Sequence, residues 1–337
     1  MSLGPMPQHL VSIGDLSAEG IVEVLEVAES FAEVERRAMK KVPTLKGKVV
    51  ATVFFEESTR TRLSFETAAK RLSADVLSLS VASSSVKKGE SLRDTVQTIE
   101  AMGIDLLIMR HGSSGAPLQA SRWTEHAQVV NAGDGWHEHP SQGLLDCFTV
   151  RQAWAEQRSM AAAGTGATLF EGKQVLIVGD LAHSRVARSE VLAYTALGAE
   201  VTLAAPRTLL PANLDHWPVQ VAEDFEEALG RADVVSVLRL QAERGSGECV
   251  PNLREFTSTF GLTEERMDRL KPGALVTHPG PMVRGVEISS RVADDPRCLV
   301  TTQVHNGVAV RMAILYLLLA GPRLEAAAIG QFAGAAA

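Results

Sequence analysis

The 337 residues carry 33 Lys and Arg against 40 Asp and Glu, a net charge of −7, with no basic arm and only two tyrosines, so nucleic acid is disfavoured as a partner. The length and the 45% hydrophobic content suit two α/β domains with a core that needs no staples. Cys147, Cys249 and Cys298 are odd in number and widely spaced, which fits neither a disulfide framework nor a zinc site and points to a reducing cytoplasm.

Residues 1–16 read as a loose start without the basic, apolar pattern of a signal peptide. Ser17 can cap a helix whose apolar stripe is Ile21, Val24, Leu25, Ala28, Phe31 and Ala32. Lys48 to Phe55 is β-branched and aromatic with almost no charge, the pattern of a buried strand. Phe65, Ala68, Ala69 and Leu72 then recur at helical spacing, so Ser58-Thr59-Arg60-Thr61 sits where a strand feeds a helix N-terminus. There the unused backbone N–H groups and the helix dipole favour an anion, and three hydroxyls and a guanidinium add donors for a tetrahedral oxyanion. Read in isolation, Ser58 would be an ordinary N-cap and Arg60 a solvated charge.

A strand at Asp75 to Ser80 precedes a serine-rich stretch, Ser83 to Ser91, and a helix carrying Leu92, Val96 and Ile99. The strand Asp105 to Met109 ends at Arg110-His111-Gly112, and the strand Gln128 to Asn131 leads to Gly133 through Pro140. Arg60, Arg110 and His139 therefore all fall just past a strand's carboxyl end, where open parallel sheets bind ligands. A helix at Leu144 to Trp154 leads to the small-residue stretch Ala161 to Thr168, which has the composition of a flexible insert. A second strand–turn–helix unit opens at Gln174 to Val178, turns at Gly179-Asp180, and runs to Leu197, with a strand resuming at Glu200 to Ala204. It lacks G-x-G-x-x-G, which disfavours a dinucleotide, and carries Arg185 near its helix start. Strands at Asp233 to Leu238 and Ala274 to Thr277 end in Arg239-Leu240-Gln241 and His278-Pro279-Gly280-Pro281. The last helix, Val308 to Leu319, is apolar nearly all round and should be buried; the run Met312 to Gly321 is too short to span a bilayer.

An acidic chain that places Arg60 and Arg110 at strand ends of one α/β unit, and Arg185 and Arg239 at those of the next, is organised to draw a small polyanion into a cleft. No Ser-His-Asp order, P-loop or metal-ligand set competes; His137 and His139 lack a clear third ligand, so no metal is expected.

Phe54 to Thr61 resembles the carbamoyl-phosphate signature of the aspartate/ornithine carbamoyltransferase family, and later segments match the family in order along nearly the whole chain. They are Ser84 to Thr95, Met109 to His111, Gly133 to Asp146, Gly179 to Arg185, Arg239 to Gln241 and His278 to Ile288. The resemblance implies two doubly wound parallel-sheet domains with the active site in the cleft between them. Residues 1–142, completed by a C-terminal helix at 303–337, would bind carbamoyl phosphate, and residues 143–302 would bind the acceptor. His-Pro-Gly-Pro and Arg-x-Gln are similar to the aspartate-accepting branch, and two second-domain arginines suit a dicarboxylate and would repel a cationic ornithine side chain.

By that resemblance Ser58, Thr59, Arg60 and Thr61 would hold the phosphate, and Arg110 would bridge phosphate and carbonyl oxygen. His139 and Thr61 would polarise the carbonyl, while Gln142 and the carbonyls of Pro279 and Gly280 would orient the carbamoyl NH₂. Arg185, Arg239 and Gln241 would bind aspartate. Ser84 and Lys88 would reach into a neighbouring subunit's site, Lys88 touching both substrates, which implies a homotrimer with shared sites. The implied reaction gives N-carbamoyl-L-aspartate and phosphate without a cofactor, an early step of pyrimidine synthesis in the cytoplasm. Further assembly with a regulatory chain or a dihydroorotase-like partner stays open, although Gly280 and the Met282 to Ile288 segment look more like the bacterial type without a tightly bound regulatory chain. The rival readings are a sibling enzyme accepting ornithine or a modified ornithine, a catalytically silent scaffold, and a nicotinamide-dependent dehydrogenase.

Overall fold

The structure, a computed structural model, describes residues 6–80, 89–161, 169–241 and 252–320. The predictions for Ser84, Lys88, Cys249 and most of the Ala161 to Thr168 insert lie outside the described residues.

The chain divides into two compact units, Met1–Leu144 with His305–Ala337, and Leu145–Val304. The first contains α1 (Ala18–Glu35), β1 (Val49–Phe54), α2 (Thr59–Arg71), β2 (Asp75–Ser80), α3 (Leu92–Ala101), β3 (Leu106–His111), α4 (Ala116–Trp123) and β4 (Gln128–Asp134). Helix α5 (Pro140–Ala161) carries the chain into the second unit. There follow β5 (Gln174–Val178), α6 (Arg185–Ala196), β6 (Glu200–Ala204), β7 (Val219–Val221), α7 (Phe225–Arg231), β8 (Val234–Val237), α8 (Leu253–Phe260), α9 (Glu264–Asp268), β9 (Leu275–Thr277) and α10 (Ser290–Ala293). Helix α11 (Val300–Ala320) returns the chain to the first unit.

Both sheets are parallel, with strand orders β2-β1-β3-β4 and β7-β6-β5-β8-β9. In each, the order reverses once, between β1 and β3 and between β5 and β8. Neighbouring strands at such a point send their connections in opposite directions and leave a crevice at their carboxyl ends. The central strands are buried on both faces, as parallel strands covered by helices must be. Leu106 to Met109 are wholly inaccessible in β3, and Leu176, Val178, Val235 and Val237 join one core cluster in the second unit.

Several elements are longer than their sequence patterns predict. Strand β3 runs through Arg110 to His111, so Arg110 lies within the strand rather than past it, beside a register shift between Met109 and His111. Helix α5 starts at Pro140, four residues before the apolar pattern begins, because proline at a first helical position forfeits no hydrogen bond. Helix α11 starts at Val300; Thr301, Thr302, Gln303, His305 and Asn306 interrupt its apolar pattern and hide its first two turns. Among the described residues α11 alone is long and apolar enough to cross a membrane, yet 67% of its most apolar stretch is buried in the protein. Its Arg311 lies over the Phe65 ring and donates to Ser64 Oγ at 2.8 Å, and Leu318 O accepts from Gln128.

Candidate active site

The register of β1 against β3 builds the first half of the site. Phe54 is paired with Arg110, and the Phe55 N–H donates to the Arg110 carbonyl, so the Arg110 side chain emerges beside the loop that starts α2. Its guanidinium is held on two sides: Nη2 donates to Glu56 Oε1 at 2.8 Å, and Nη1 donates to the Ala132 carbonyl at 3.1 Å. Ser58 stands at the N-cap of α2 but its hydroxyl makes no capping bond, which sets aside the reading of an ordinary cap. Thr61 is buried one turn in, while Thr59 and Arg60 face outward.

The stretch after β4 supplies the next residues. Asp134 Oδ1 accepts from the Asn131 amide and the Glu138 N–H, and Oδ2 accepts from the Gly115 N–H. Burial pushes the Asp134 carboxyl up, but bonds from His137, Gly115 and Asn131 outweigh it together and hold the group below its usual range. Glu138 is buried as well and accepts from the Ser12 hydroxyl and the Ile13 N–H. This pinned turn delivers His139, 4% exposed, to the start of α5, with Gln142 in its first turn. Ser141 Oγ lies 3.5 Å from His139 Nδ1. His111, half-buried against the Phe55 ring at 4.8 Å, has a lowered pKa, chiefly through burial.

The second unit repeats the arrangement at its own reversal of strand order. Gly179 ends β5 at φ +131, a conformation that favours glycine, and a Cβ there would lie 2.2 Å from the Leu238 carbonyl oxygen. That close approach lets Asp180 join both strand ends. Its Oδ1 accepts from the His183 N–H and pairs with His183 Nδ1 at 2.8 Å, while Oδ2 accepts from the Gln241 N–H at 3.1 Å. Ser184 caps α6 by accepting from the Ala187 N–H, and Arg185 follows at the first helical position, 3% exposed. Arg239 lies just past β8, with Nη2 3.4 Å from Gln241 Oε1. Arg185, Arg239 and Gln241 are thereby gathered at the carboxyl edge of the second sheet.

Past β9, the Pro279-Gly280 segment is fixed by the buried pair His278 and Glu287. His278 Nδ1 accepts the Gly280 N–H at 2.7 Å, so the ring proton is on Nε2, which faces Glu287 Oε1 at 3.1 Å. The same carboxylate oxygen accepts the Val283 N–H at 2.6 Å. Glu56, Asp180 and Glu287 escape sequence reasoning as positioning residues; Glu56 and Asp180 each lie two residues past a strand end, an adjacency that could have found them, whereas Glu287 lies ten residues past β9 and gives no such signal. Among the described residues no cluster of three or more His, Cys, Asp or Glu could hold a metal ion.

Each unit on its own thus presents arginines, amides and hydroxyls at one sheet edge, an arrangement suited to phosphate in the first and carboxylate in the second. The comparisons with known proteins agree. Residues 8–152 match the family model described as aspartate/ornithine carbamoyltransferase, carbamoyl-P binding domain, and residues 171–318 match the Asp/Orn binding domain of the same family. The aspartate carbamoyltransferase catalytic subunit of Streptomyces griseus is 52% identical over 319 residues, covering 94% of this chain and 95% of its own. That of Clavibacter sepedonicus is 54% identical over 318 residues, covering 93% and 98%. Aspartate transcarbamoylase from Trypanosoma cruzi, solved with carbamoyl phosphate and aspartate, aligns with a TM-score of 0.80 at 28% identity, over 94% of this chain and 100% of that one. The catalytic subunit of the M. jannaschii enzyme aligns with a TM-score of 0.77 at 33% identity, over 95% and 100%.

Proposed function

The chain belongs to the aspartate/ornithine carbamoyltransferase family, and we propose that it transfers the carbamoyl group of carbamoyl phosphate to the α-amine of L-aspartate. The products are N-carbamoyl-L-aspartate and phosphate. The observation that carries the choice of acceptor is the placement of Arg185 and Arg239 at one sheet edge, with Asp180 joining the two strand ends beside them. Two guanidiniums suit two carboxylates and penalise a cationic side chain.

In this reading Ser58, Thr59, Arg60 and Thr61 hold the phosphate on the N-terminus of α2. Arg110 bridges phosphate and carbonyl oxygen, and Glu56 and Ala132 set its orientation before substrate arrives. His139 and Thr61 polarise the carbonyl, while Gln142 and the carbonyls of Pro279 and Gly280 orient the carbamoyl NH₂. Arg185, Arg239 and Gln241 hold aspartate with its neutral amine facing the carbonyl carbon. The C–N bond forms, the oxyanion is met by donors already in place, and the C–O bond to phosphate breaks. The departing phosphate can take the amine proton, which leaves His139 to donate to the oxyanion. No step calls for a cofactor or a covalent enzyme intermediate.

Ser84 and Lys88 complete the site of a neighbouring subunit in a cytoplasmic homotrimer; the reading is supported by the match of Ser84 to Thr95 to the family's segment and by the cysteine usage.

Calorimetric titration with N-(phosphonacetyl)-L-aspartate, which carries a phosphonate and both carboxylates in one molecule, tests these assignments. Arg60→Ala and Arg239→Ala should each weaken binding by about a hundredfold, as loss of a charged partner does. Mixed Arg60→Ala and Lys88→Ala subunits should regain tight sites after exchange. Unchanged affinity in Arg239→Ala would overturn the acceptor site, and mixtures without tight sites would overturn the sharing.

A further inference from the structure

The loop after β9 folds back on itself around His278 and Glu287, both only 1% exposed. The return of the chain is written in its backbone. The Val286 N–H donates to the Val283 carbonyl at 3.1 Å, and the Gly285 N–H donates to the Ile288 carbonyl at 2.8 Å. Glu287 is pinned from outside the loop, because its own carbonyl accepts the Leu262 N–H at 2.9 Å. His278 is pinned from α11: Gln303 Oε1 accepts the His278 N–H at 2.9 Å, and Gln303 Nε2 donates to Asp146 Oδ1 at 2.6 Å.

Between these fixed ends the two side chains make one relay. A backbone N–H can only donate, so the 2.7 Å contact from Gly280 makes His278 Nδ1 an acceptor and leaves the ring proton on Nε2. That Nε2–H finds Glu287 Oε1 at 3.1 Å, and the same oxygen takes the Val283 N–H at 2.6 Å. Glu287 thus selects the tautomer, and the tautomer gives the Gly280 N–H its acceptor. The consequence is one of covalent geometry. The Gly280 N–H belongs to the same planar peptide as the Pro279 carbonyl, and in a trans peptide the two point in opposite directions. Holding one aims the other.

We propose that His278 and Glu287 are positioning residues that aim the Pro279 carbonyl at the carbamoyl NH₂ and so set a preference for a carbamoyl over a plain acyl donor. The inference rests on the functional reading above for the role of that carbonyl, though not for the tautomer. Acetyl phosphate is the informative comparison, since it has a methyl group where carbamoyl phosphate has its NH₂. The phosphate and the reacting carbonyl are alike in the two molecules. Only the NH₂ can donate to a backbone carbonyl, and a site built to hydrogen-bond a group rejects the analogue that lacks it. The preference is therefore as sharp as the aim of the carbonyl is fixed.

Two variants separate aim from bulk. Glu287→Gln keeps an oxygen that can accept from both His278 Nε2 and the Val283 N–H; Glu287→Met fills similar space and accepts from neither. The kcat/KM for carbamoyl phosphate should fall about tenfold to a hundredfold in Glu287→Met and return to within about threefold of wild type in Glu287→Gln. The inhibition constant of acetyl phosphate, competing with carbamoyl phosphate, should weaken by less than about threefold in both. Equal losses for the two phosphates would mark a merely structural role and overturn the aim, as would equal kcat/KM in the Met and Gln variants. Should Glu287→Met fail to fold, His278→Gln carries the same expectation, because it keeps a donor for Glu287 but offers the Gly280 N–H no acceptor. Nitrogen-15 NMR of the wild type labelled at histidine reads the tautomer directly. The ring whose resonances shift in Glu287→Gln should have a bare Nδ1 and a protonated Nε2; a protonated Nδ1 there would overturn the relay. A wild type that transfers no carbamoyl group would overturn the functional reading and the carbonyl's role with it, while the NMR would still decide the tautomer.

Discussion

If Arg110 bridges phosphate and carbonyl oxygen as proposed, it is oriented by groups outside the proposed substrate contacts. Its guanidinium already has a carboxylate on one side and a carbonyl on the other, so its orientation costs little at the moment of reaction. Replacing Arg110 with Ala should lower turnover by about a hundredfold or more while the KM for aspartate changes by less than about threefold, as steady-state kinetics will show. The reverse pattern, an intact turnover with a raised aspartate KM, would remove Arg110 from the oxyanion side. At this scale the sequence made the cationic residues visible, because arginine after a run of β-branched residues stands out. Their partners stayed hidden. Glu56 reads as one more charge in a motif, and only the pairing of Phe54 with Arg110 across two strands brings it to the guanidinium.

Gly179 is the hinge of the second half-site at the scale of elements. With Leu238 O only 2.2 Å from where a Cβ would stand, β5 and β8 can end side by side only if this residue has no side chain. Gly179→Ala should destabilise the protein by about 2 kcal/mol or more and raise the aspartate KM more than the carbamoyl phosphate KM, measured by denaturant unfolding and by kinetics. A normal aspartate KM would show that Asp180, Arg239 and Gln241 do not depend on that approach. The element patterns explain what was legible. Strands Asp75–Ser80, Gln174–Val178 and Glu200–Ala204 match their predicted spans because each is a short apolar or alternating run with clear borders. Helix starts were less visible, since a start is written in caps and polar first turns rather than in apolar periodicity. Pro140 and the Val300 to Asn306 stretch are the two cases; Gln142, in the first turn of α5, is reached through the family resemblance and not through helical periodicity. The three-residue strand Val219–Val221, with Val221 exposed, is too short to give a period.

For the whole molecule, two parallel sheets each reverse their strand order once, and each reversal collects cations in a chain whose net charge is −7. The proposed division of labour follows from that charge arrangement: phosphate chemistry at the edge of the first sheet, dicarboxylate recognition at the edge of the second. The most direct test is carbamoyl transfer by the purified protein from carbamoyl phosphate to L-aspartate and, in parallel, to L-ornithine. N-carbamoyl-L-aspartate is expected from aspartate, and no product from ornithine. Product from ornithine alone would contradict the roles given to Arg185 and Arg239, and no product from either would contradict the assignment of the activity.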